Sequence, residues 1–355
     1  MEVPMFSIRN LHLAVPAMLA PMAGVSDLPF RLMARKFGCP LAFTEMINAR
    51  ALCMASGKTF KLLESSPADR PLGVQLLGRE PENLREALIA LEGLSYDVID
   101  LNAACPVRKV TRKGEGAALL KEPHLLSRLV ATLVAHAKVP VTVKIRSGWD
   151  HLSVNARDIA ARIADAGADA VCIHGRTRSQ GYGGKADRGI VRSVKEAVSV
   201  PVIASGDLFS VEAVEKVKQE TGCDAVMVAR GALGNPWIFR EIAAAYGQGV
   251  PPSRPSMEEL TQVMGEHLQM SVERHGEALG VIDFRKFFIW YTRGLKNARL
   301  LRPKAMLVST PEEMQGLIDE LRAAVSPGLN FPASQTPSVE TQLGPAALSN
   351  PGWTG

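Results

Sequence analysis

Cysteine is scarce in this chain of 355 residues, and its few cysteines are scattered. They are Cys39, Cys53, Cys105, Cys172 and Cys223, an odd number with no Cys-x-x-Cys pair among them. Disulfide frameworks and zinc sites use paired, closely spaced cysteines, so this pattern argues against both. We therefore expect a cytoplasmic protein of a reducing compartment, without a metal site.

Long apolar runs are also missing. The first twenty residues are interrupted by Pro4, Arg9, His12 and Pro16, so they lack the cationic start and apolar centre of a signal peptide. No later run is long enough to span a bilayer. With 46% hydrophobic and 22% charged residues, the composition is typical of a soluble enzyme with one large and one smaller domain. We expect a monomer, and the net charge of +5 hints at an acidic partner.

The sequence does contain a repeat of short apolar runs that alternate with amphipathic stretches. The runs are nearly continuous in Val, Ile, Leu and Ala, as in parallel strands that are covered on both faces. The predicted strands are Ala17–Ala20, Leu41–Thr44, Leu72–Leu76, Val98–Leu101, Val141–Ile145, Ala170–Ile173, Pro201–Ala204 and Ala225–Val228. Eight strand–helix units predict a closed (β/α)₈ TIM barrel, whose sites form at the C-terminal strand ends. The rival fold is a doubly wound open sheet, but no G-x-G-x-x-G turn follows the first strand.

Polar side chains follow most of these strands. Taken singly, a buried Gln or His is more often a core hydrogen-bonder than a ligand. Lys144, however, is the fourth residue of a strand and cannot easily lie unpaired in a dry core. Polar groups that converge on one barrel mouth indicate a ligand site. After the last two strands, Gly206 and Gly231 let the backbone approach a ligand and Arg230 adds positive charge, which suits a phosphate.

Cys105 follows the fourth strand, on the turn Asp100-Leu-Asn-Ala-Ala-Cys-Pro106. A lone cysteine is more often an inert apolar side chain. A neutral thiol in a closed site can nevertheless donate a proton, because its reference pKa is about 8.5. Four cations that can hold a polyanion follow it in sequence, namely Arg108, Lys109, Arg112 and Lys113.

Beyond residue 247 the pattern becomes purely helical. A Pro/Gly-rich linker, Tyr246–Pro255, precedes predicted helices at Met257–His275, Leu279–Lys296 and Pro311–Ala324. We therefore predict a barrel domain over 1–247, a helical domain over 248–326 and a tail over 327–355. Glu340 is the only charged residue of that tail, which we expect to be disordered.

The stretch Phe284–Lys304 contains no acidic residue. Its cations are Arg285, Lys286, Arg293, Lys296, Arg299, Arg302 and Lys304, and Phe287, Phe288, Trp290 and Tyr291 stand between them. Such a run is often a solvated helix face, and aromatic residues at this spacing are often core. Because acids are absent, we favour a face that binds nucleic-acid phosphates.

Several motifs carry a resemblance to a known family. They are Leu19-Ala-Pro-Met-Ala-Gly24, Thr44-Glu-Met46, Gln75-Leu-Leu-Gly78, Asn102-x-x-Cys105-Pro106, Val143-Lys-Ile-Arg-x-Gly-Trp149, His174-Gly-Arg-Thr177, Gly206-Asp207 and Ala229-Arg-Gly-Ala-x-Gly-Asn-Pro-Trp-Ile-Phe239. In this order they resemble the tRNA-dihydrouridine synthases, most closely the bacterial B-type branch. The resemblance implies an FMN-bearing barrel that reduces a uridine of tRNA with NADPH.

The same resemblance implies roles for single residues. Cys105 would be the proton donor. The residues that would line the flavin are Pro21, Met22, Ala23, Gln75, Lys144, His174, Ser205, Gly206, Asp207, Ala229 and Arg230. The residues that we expect to bind the tRNA are Asn102, Arg108, Lys109, Arg176, Arg285, Lys286, Arg293 and Lys296.

Two positions depart from the family pattern, since Ala104 replaces a usual glycine and Ser205 a usual asparagine. A β-carbon at position 104 would disturb the thiol if that backbone needed a positive φ, whereas the hydroxyl of Ser205 still offers a hydrogen bond. Two alternative functions stay open. One is a flavin-dependent oxidoreductase of a small molecule such as dihydroorotate, and the other is a tRNA-binding protein that has lost catalysis.

Overall fold

Eight parallel strands close on themselves in the computed structural model of the protein, which describes residues 6–54, 56–247 and 255–323. They are β1 Ala17–Leu19, β2 Ala42–Phe43, β3 Leu72–Leu77, β4 Val98–Ala103, β5 Val141–Arg146, β6 Ala170–His174, β7 Val202–Ser205 and β8 Ala225–Val228. Each strand pairs with the next, and β8 returns to β1 with Val226 opposite Ala17. The predicted (β/α)₈ barrel is confirmed, and the open sheet is wrong.

Fourteen α-helices occur within the described residues. They are α1 Leu28–Lys36, α2 Ala49–Cys53, α3 Gly57–Lys61, α4 Pro81–Ala90, α5 Arg108–Thr111, α6 Pro123–His136, α7 Ala156–Asp165, α8 Arg188–Ala197, α9 Val211–Thr221, α10 Ile238–Ala245, α11 Met257–His275, α12 Glu277–Tyr291, α13 Leu301–Ala305 and α14 Pro311–Ala323. Asp27 caps α1 by accepting the Phe30 N–H at 3.1 Å, and Ser210 caps α9 in the same way at Ala213. None of the described helices is long and apolar enough to cross a membrane.

The barrel has two hydrophobic cores. The larger lies between the strands and their helices. The smaller fills the barrel interior near the N-terminal strand ends, where Met18, Cys172 and Met227 meet an antiparallel hairpin, Phe6–Ile8 with Leu11–Leu13. With that end filled, polar side chains can converge only at the opposite, C-terminal end, which we call the mouth.

The C-terminal helices pack on the barrel through aromatic side chains. Phe287 stacks on Phe30 of α1 with ring centroids 5.6 Å apart, and Tyr291 meets Trp237 edge-on at 6.3 Å. Phe284, Phe287 and Phe288 are fully buried, so the aromatic residues of this stretch are core, and they do not interleave with its cations on an exposed face.

Some predicted boundaries are wrong. Helix α12 ends at Tyr291 instead of Lys296, because the Thr292 hydroxyl donates back to the Phe288 carbonyl and Gly294 takes a φ of 82°. The sequence also suggests that Ser153 caps the next helix, but α7 begins at Ala156, and the Ser153 hydroxyl instead donates to Asp150. The predicted boundary at 247/248 adjoins residues 248–254, which lie outside the described residues, as does the tail 327–355.

A buried ion pair holds the loop between β1 and α1. Arg31 is 1% exposed and Asp69 is not exposed. The guanidinium donates to the Asp69 carboxylate at 2.9 Å and to the carbonyls of Ser26 and Glu64 at 2.8 and 2.7 Å. Because the Ser26 carbonyl belongs to the loop that leaves β1, this pair fixes one wall of the mouth.

We predict that Asp69→Ala lowers the free energy of unfolding by about 3–5 kcal/mol, since it leaves the Arg31 guanidinium buried without its carboxylate. Urea unfolding followed by circular dichroism measures the change. The control is Glu92→Ala, which removes an exposed partner of Lys138 and should change stability little. Equal effects of the two substitutions would contradict the structural role of the buried pair.

Candidate functional site

The centre of the mouth contains a buried network of hydrogen bonds between neighbouring strands. Asp100 on β4 accepts from Gln75 Nε2 on β3 at 2.7 Å and from Thr142 Oγ1 on β5 at 2.6 Å. The remaining amide oxygen of Gln75 accepts from Asn102 Nδ2 at 2.7 Å. Burial raises the pKa of Asp100 to about 6, although both donors and the nearby Lys144 charge oppose the shift.

The loop after β4 carries Cys105 and is tied to this network. Asn102 Oδ1 accepts the N–H groups of Ala104 and Cys105 at 3.0 and 2.8 Å. Arg146 Nε donates to the Ala104 carbonyl at 2.8 Å, and the Cys105 carbonyl accepts from Ala117 N–H at 3.1 Å. The thiol is therefore carried by a backbone that is fixed on both sides.

Cys105 is half-buried, and its surroundings favour the neutral thiol. Burial raises the pKa of Cys105, and the nearby positive charge of Arg146 opposes this only in part. Burial also lowers the pKa of Arg146 to about 10, so that side chain remains charged at neutral pH. A protonated thiol beside a cation can act as a proton donor.

The opposite side of the mouth is held by a network of charged groups after β6, β7 and β8. Asp207 accepts from Arg176 at 2.9 Å and from Arg230 at 3.2 Å. The ring of Tyr182 lies over Arg230 with 4.8 Å between the guanidinium carbon and the ring centroid. Burial and the surrounding arginines lower the pKa of His174 well below its usual value, so its imidazole is neutral at neutral pH.

Gly206 is the tightest point of this charged side. Its φ is 113°, and a β-carbon there would come within 2.7 Å of His174 Cδ2. The next residue, Asp207, also has a positive φ, 55°. Ser205 donates its hydroxyl to the Met227 carbonyl at 3.1 Å. These contacts fold the loop tightly against His174 and leave room only for a glycine at position 206.

The departure at Ala104 does not strain the backbone. Outside glycine, only Arg9 and Asp207 among the described residues have positive φ. A side chain at position 104 therefore needs no left-handed conformation. Instead, the close approach in this loop is made by Gly116, where a β-carbon would lie 2.8 Å from the Cys105 carbonyl oxygen.

Lys144 lies between the two sides of the mouth. It is partly exposed, and its ammonium lies 3.7 Å from the Cys172 sulfur, which is a weak acceptor. The remaining residues that the resemblance assigns to a flavin stand at the rim, since Pro21, Met22 and Ala229 are partly exposed and Ala23 is exposed. Lys144 lies in the C-terminal half of β5 and the others follow β1 or β8, so the structure brings them to the same end of the barrel.

The residues that we expected to bind tRNA fall into two groups. Asn102 and Arg176 are buried and hold other parts of the site, so this structure gives them positioning contacts. Arg108 and Lys109 are exposed at the start of α5, directly after Cys105.

On the helical side, only part of the predicted cationic face is exposed. Arg285 donates to the Val308 carbonyl at 2.9 Å, and Lys286 pairs with Asp283. Arg293 is exposed, and its positive charge, after burial and Arg176, lowers the pKa of Arg230. The side chain of Lys296 lies outside the described part of the chain.

A cavity of about 1000 Å³ lies beside the mouth, between the barrel and helices α11 and α12. Its wall includes three potential metal ligands that lie within 4.8 Å of one another, Asp27, His275 and Asp283. Asp27 already caps α1 and accepts from His275 at 3.2 Å, and Asp283 pairs with Lys286. We interpret this cluster as the joint between the helices and the barrel.

The sequence analysis gave no role to four residues of the site, Asp100, Thr142, Arg146 and Tyr182. Asp100 and Arg146 belong to motifs that were recognised, but neither was given a role. Their signal was a charged residue inside an apolar strand, which needs a buried partner. Tyr182 follows no strand directly, and no local pattern marks it.

The sequence profile of the dihydrouridine synthase (Dus) family matches residues 18–326. The probable tRNA-dihydrouridine synthase of Rickettsia conorii is 37% identical over 322 residues, covering 90% of this chain and 97% of that protein. The tRNA-dihydrouridine synthase B of Xanthomonas axonopodis pv. citri is 36% identical over 329 residues, covering 91% and 98%.

Solved structures of lower similarity share the fold. Histamine dehydrogenase from Rhizobium sp. 4-9 aligns with a TM-score of 0.57 at 13% identity, over 76% of this chain and 51% of that one. A 2-naphthoyl-CoA reductase complex aligns with a TM-score of 0.56 at 10% identity, over 70% and 52%. At these identities the likeness supports the barrel architecture alone.

We predict that Cys105 reacts with iodoacetamide along a pH profile shifted above that of a free cysteine. Only the thiolate reacts, and burial disfavours the thiolate, so raising the pKa moves the rise in rate to higher pH. Peptide mass spectrometry of the alkylated protein measures the rate at Cys105 separately from the other cysteines. A Cys105 that reacts as a thiolate at neutral pH would contradict the environment described above.

Proposed function

The chain belongs to the dihydrouridine synthase family, and from this premise we propose that it reduces a uridine of tRNA to 5,6-dihydrouridine, using FMN and NADPH. The observation that carries the proposal is the pairing of a neutral thiol on a fixed loop with a cationic, glycine-lined turn across the same mouth. The first supplies a proton, and the second suits a phosphate-bearing cofactor.

The residues of the mouth fit FMN. Arg176 and Arg230 both pair with the carboxylate of Asp207, and two guanidinium groups held side by side suit a phosphate group. At Gly206 and Gly231 a β-carbon would collide with His174 and with the Leu208 carbonyl, so the two turns present bare backbone. These residues would hold the phosphate end of the cofactor.

Other residues would hold the ring. The Lys144 ammonium lies 3.7 Å from the Cys172 sulfur, a weak acceptor, and it would stabilise negative charge on a reduced ring. The neutral His174 and the Gln75 amide offer hydrogen bonds to the same ring. When bound, FMN supplies the hydride that C6 of uracil accepts.

Cys105 supplies the second half of the reduction. Saturating the C5–C6 bond of uracil takes a hydride at C6 and a proton at C5. The thiol donates that proton and becomes a thiolate, which regains a proton from solvent. NADPH is the source of the hydride and leaves as NADP⁺. Because the base must reach a closed mouth, it has to be flipped out of the RNA stack.

The tRNA would be held from both sides of the mouth. Arg108 and Lys109 follow shortly after Cys105 on the barrel, and Arg293 of the helical region acts electrostatically on Arg230 across the site. Cations on both rims can bind phosphates on either side of a flipped nucleotide. Nothing in this arrangement favours a small-molecule substrate. Lost catalysis was suggested by the departures at Ala104 and Ser205, and the unstrained backbone at Ala104 removes the first of these two reasons.

The direct test is a reaction of the purified protein with unmodified tRNA transcript and NADPH. We expect the protein to release FMN on heating and the tRNA to gain two hydrogen atoms at a uridine, as measured by nucleoside mass spectrometry. A protein that contains FMN and oxidises NADPH but leaves every tRNA unmodified would refute the proposed substrate. A protein without a flavin would refute the proposed chemistry.

We predict that the triple variant Arg108→Gln, Lys109→Gln, Arg293→Gln binds tRNA more weakly and with a smaller salt dependence. Each lost phosphate contact should reduce the slope of log K against log salt by about one. Filter binding at several salt concentrations measures both quantities. The control is Lys138→Gln, which removes an exposed cation at the opposite end of the barrel. If the triple variant binds like this control, the cations do not contact the RNA.

A further inference from the structure

A chain of buried side-chain hydrogen bonds connects Asp100 to the backbone that carries Cys105. Gln75 Nε2 donates to Asp100 at 2.7 Å, and Asn102 Nδ2 donates to Gln75 Oε1 at 2.7 Å. Asn102 Oδ1 then accepts the Cys105 N–H at 2.8 Å. Asp100, Gln75 and Asn102 are 0%, 1% and 5% exposed, so water competes little for these bonds.

The carboxylate of Asp100 determines which group donates and which accepts in every hydrogen bond of this series. An ionised carboxylate only accepts hydrogen bonds, so the NH₂ group of Gln75 has to face Asp100. The oxygen of Gln75 then faces Asn102, which must present its own NH₂ group there. The oxygen of Asn102 is thereby left for the N–H groups of Ala104 and Cys105.

The reversed arrangement is costly. If the Gln75 amide turned over, its oxygen would face the Asp100 carboxylate, and two acceptors would meet in a buried site. The Asn102 oxygen would then have to leave the Cys105 N–H, which would be left without its acceptor. Thr142 occupies the other oxygen of Asp100 at 2.6 Å, so the carboxylate has little freedom to rotate.

We propose that Asp100 is a positioning residue, whose buried carboxylate sets the orientation of the Gln75 and Asn102 amides and thereby the placement of the Cys105 thiol. The geometry of these hydrogen bonds does not depend on which reaction the protein catalyses. Its consequence for proton transfer rests on the proposed function of Cys105.

The test relies on the fact that the hydrogen bonds among positions 100, 75 and 102 can all be reversed together. Asn102→Asp alone places carboxylates on both sides of the Gln75 amide, which can donate toward only one of them. Adding Asp100→Asn reverses the donor and acceptor of every hydrogen bond among positions 100, 75 and 102. Asn at position 100 then donates to Gln75, Gln75 donates to Asp at position 102, and that carboxylate still accepts the Cys105 N–H. The number of buried carboxylates is the same as in the natural protein.

The readout is the rate at which iodoacetamide alkylates Cys105, with the partly exposed Cys53 on α2 as the internal reference. We expect Asn102→Asp to raise the rate at Cys105 about tenfold, because the new carboxylate faces the Gln75 oxygen, the two buried acceptors repel, and the side chain is displaced from the Ala104 and Cys105 N–H groups. The double variant should return close to the natural rate. Adding Thr142→Val to Asn102→Asp should not restore it, because that change loosens the network without supplying a donor to Gln75.

A double-mutant cycle analyses these rates. If Asp100→Asn reverses most of the effect of Asn102→Asp, the two positions are coupled and the proposal is supported. If the effects of the two substitutions simply add, the proposal is overturned. If Asn102→Asp does not fold, recovery of a folded protein in the double variant is the supporting result, and a double variant that also fails to fold overturns the proposal. Dihydrouridine formation is measured in parallel. Rescued alkylation without any tRNA reduction by the natural protein would refute the proposed function and leave the positioning role intact.

Discussion

The hydrogen bond from Gln75 to the buried carboxylate of Asp100 is the constraint on which the centre of the mouth depends. A charged group inside a barrel is costly unless donors surround it, and here Thr142 and Gln75 supply them from the two neighbouring strands. Because the carboxylate can only accept, it gives a direction to the amides beside it. That direction passes through Asn102 to the loop of Cys105, and in our proposal the carboxylate on β4 thereby sets where the thiol lies.

The two sides of the mouth are built on different electrostatic principles. On the Cys105 side, burial keeps the thiol neutral beside the charged Arg146. On the other side, Arg176 and Arg230 both pair with the carboxylate of Asp207. In the function that we propose, this arrangement separates the proton donor from the turns that would anchor the phosphate of the cofactor. The neutral His174 between these charges fits that division.

Much of the barrel could be predicted because each strand is encoded by a short apolar run of consecutive residues. The run Ala225–Val228 matches its strand at both ends. The second strand was less predictable, since Ala42–Phe43 stops and pairing with β3 resumes at Ile47–Asn48, a break that depends on the neighbouring strand. Similarly, the end of α12 depends on Thr292 bonding back to Phe288, which the cationic pattern does not reveal.

The site was predicted as a set of positions rather than as an arrangement. The sequence placed Gln75, Asn102 and Cys105 at strand ends, and the structure brings them to one mouth. The sequence alone could not show that Asn102 and Arg176 are engaged in contacts within the protein. Arg176, for example, contacts Asp207, which lies 31 residues away, and only folding brings the two together. The aromatic residues of α12 were similarly ambiguous until packing against Phe30 and Trp237 showed them to be core.

The central claim is that Cys105 donates the proton at C5 of uracil, and single-turnover kinetics of Cys105→Ala test it most directly. The variant is loaded with FMN, reduced with NADPH and mixed with unmodified tRNA, and the oxidation of the protein-bound flavin is followed by absorbance. We expect normal reduction by NADPH and oxidation by tRNA that is slower by ~10²–10⁴, the usual contribution of a positioned acid. Oxidation by tRNA at the rate of the natural protein would contradict the account.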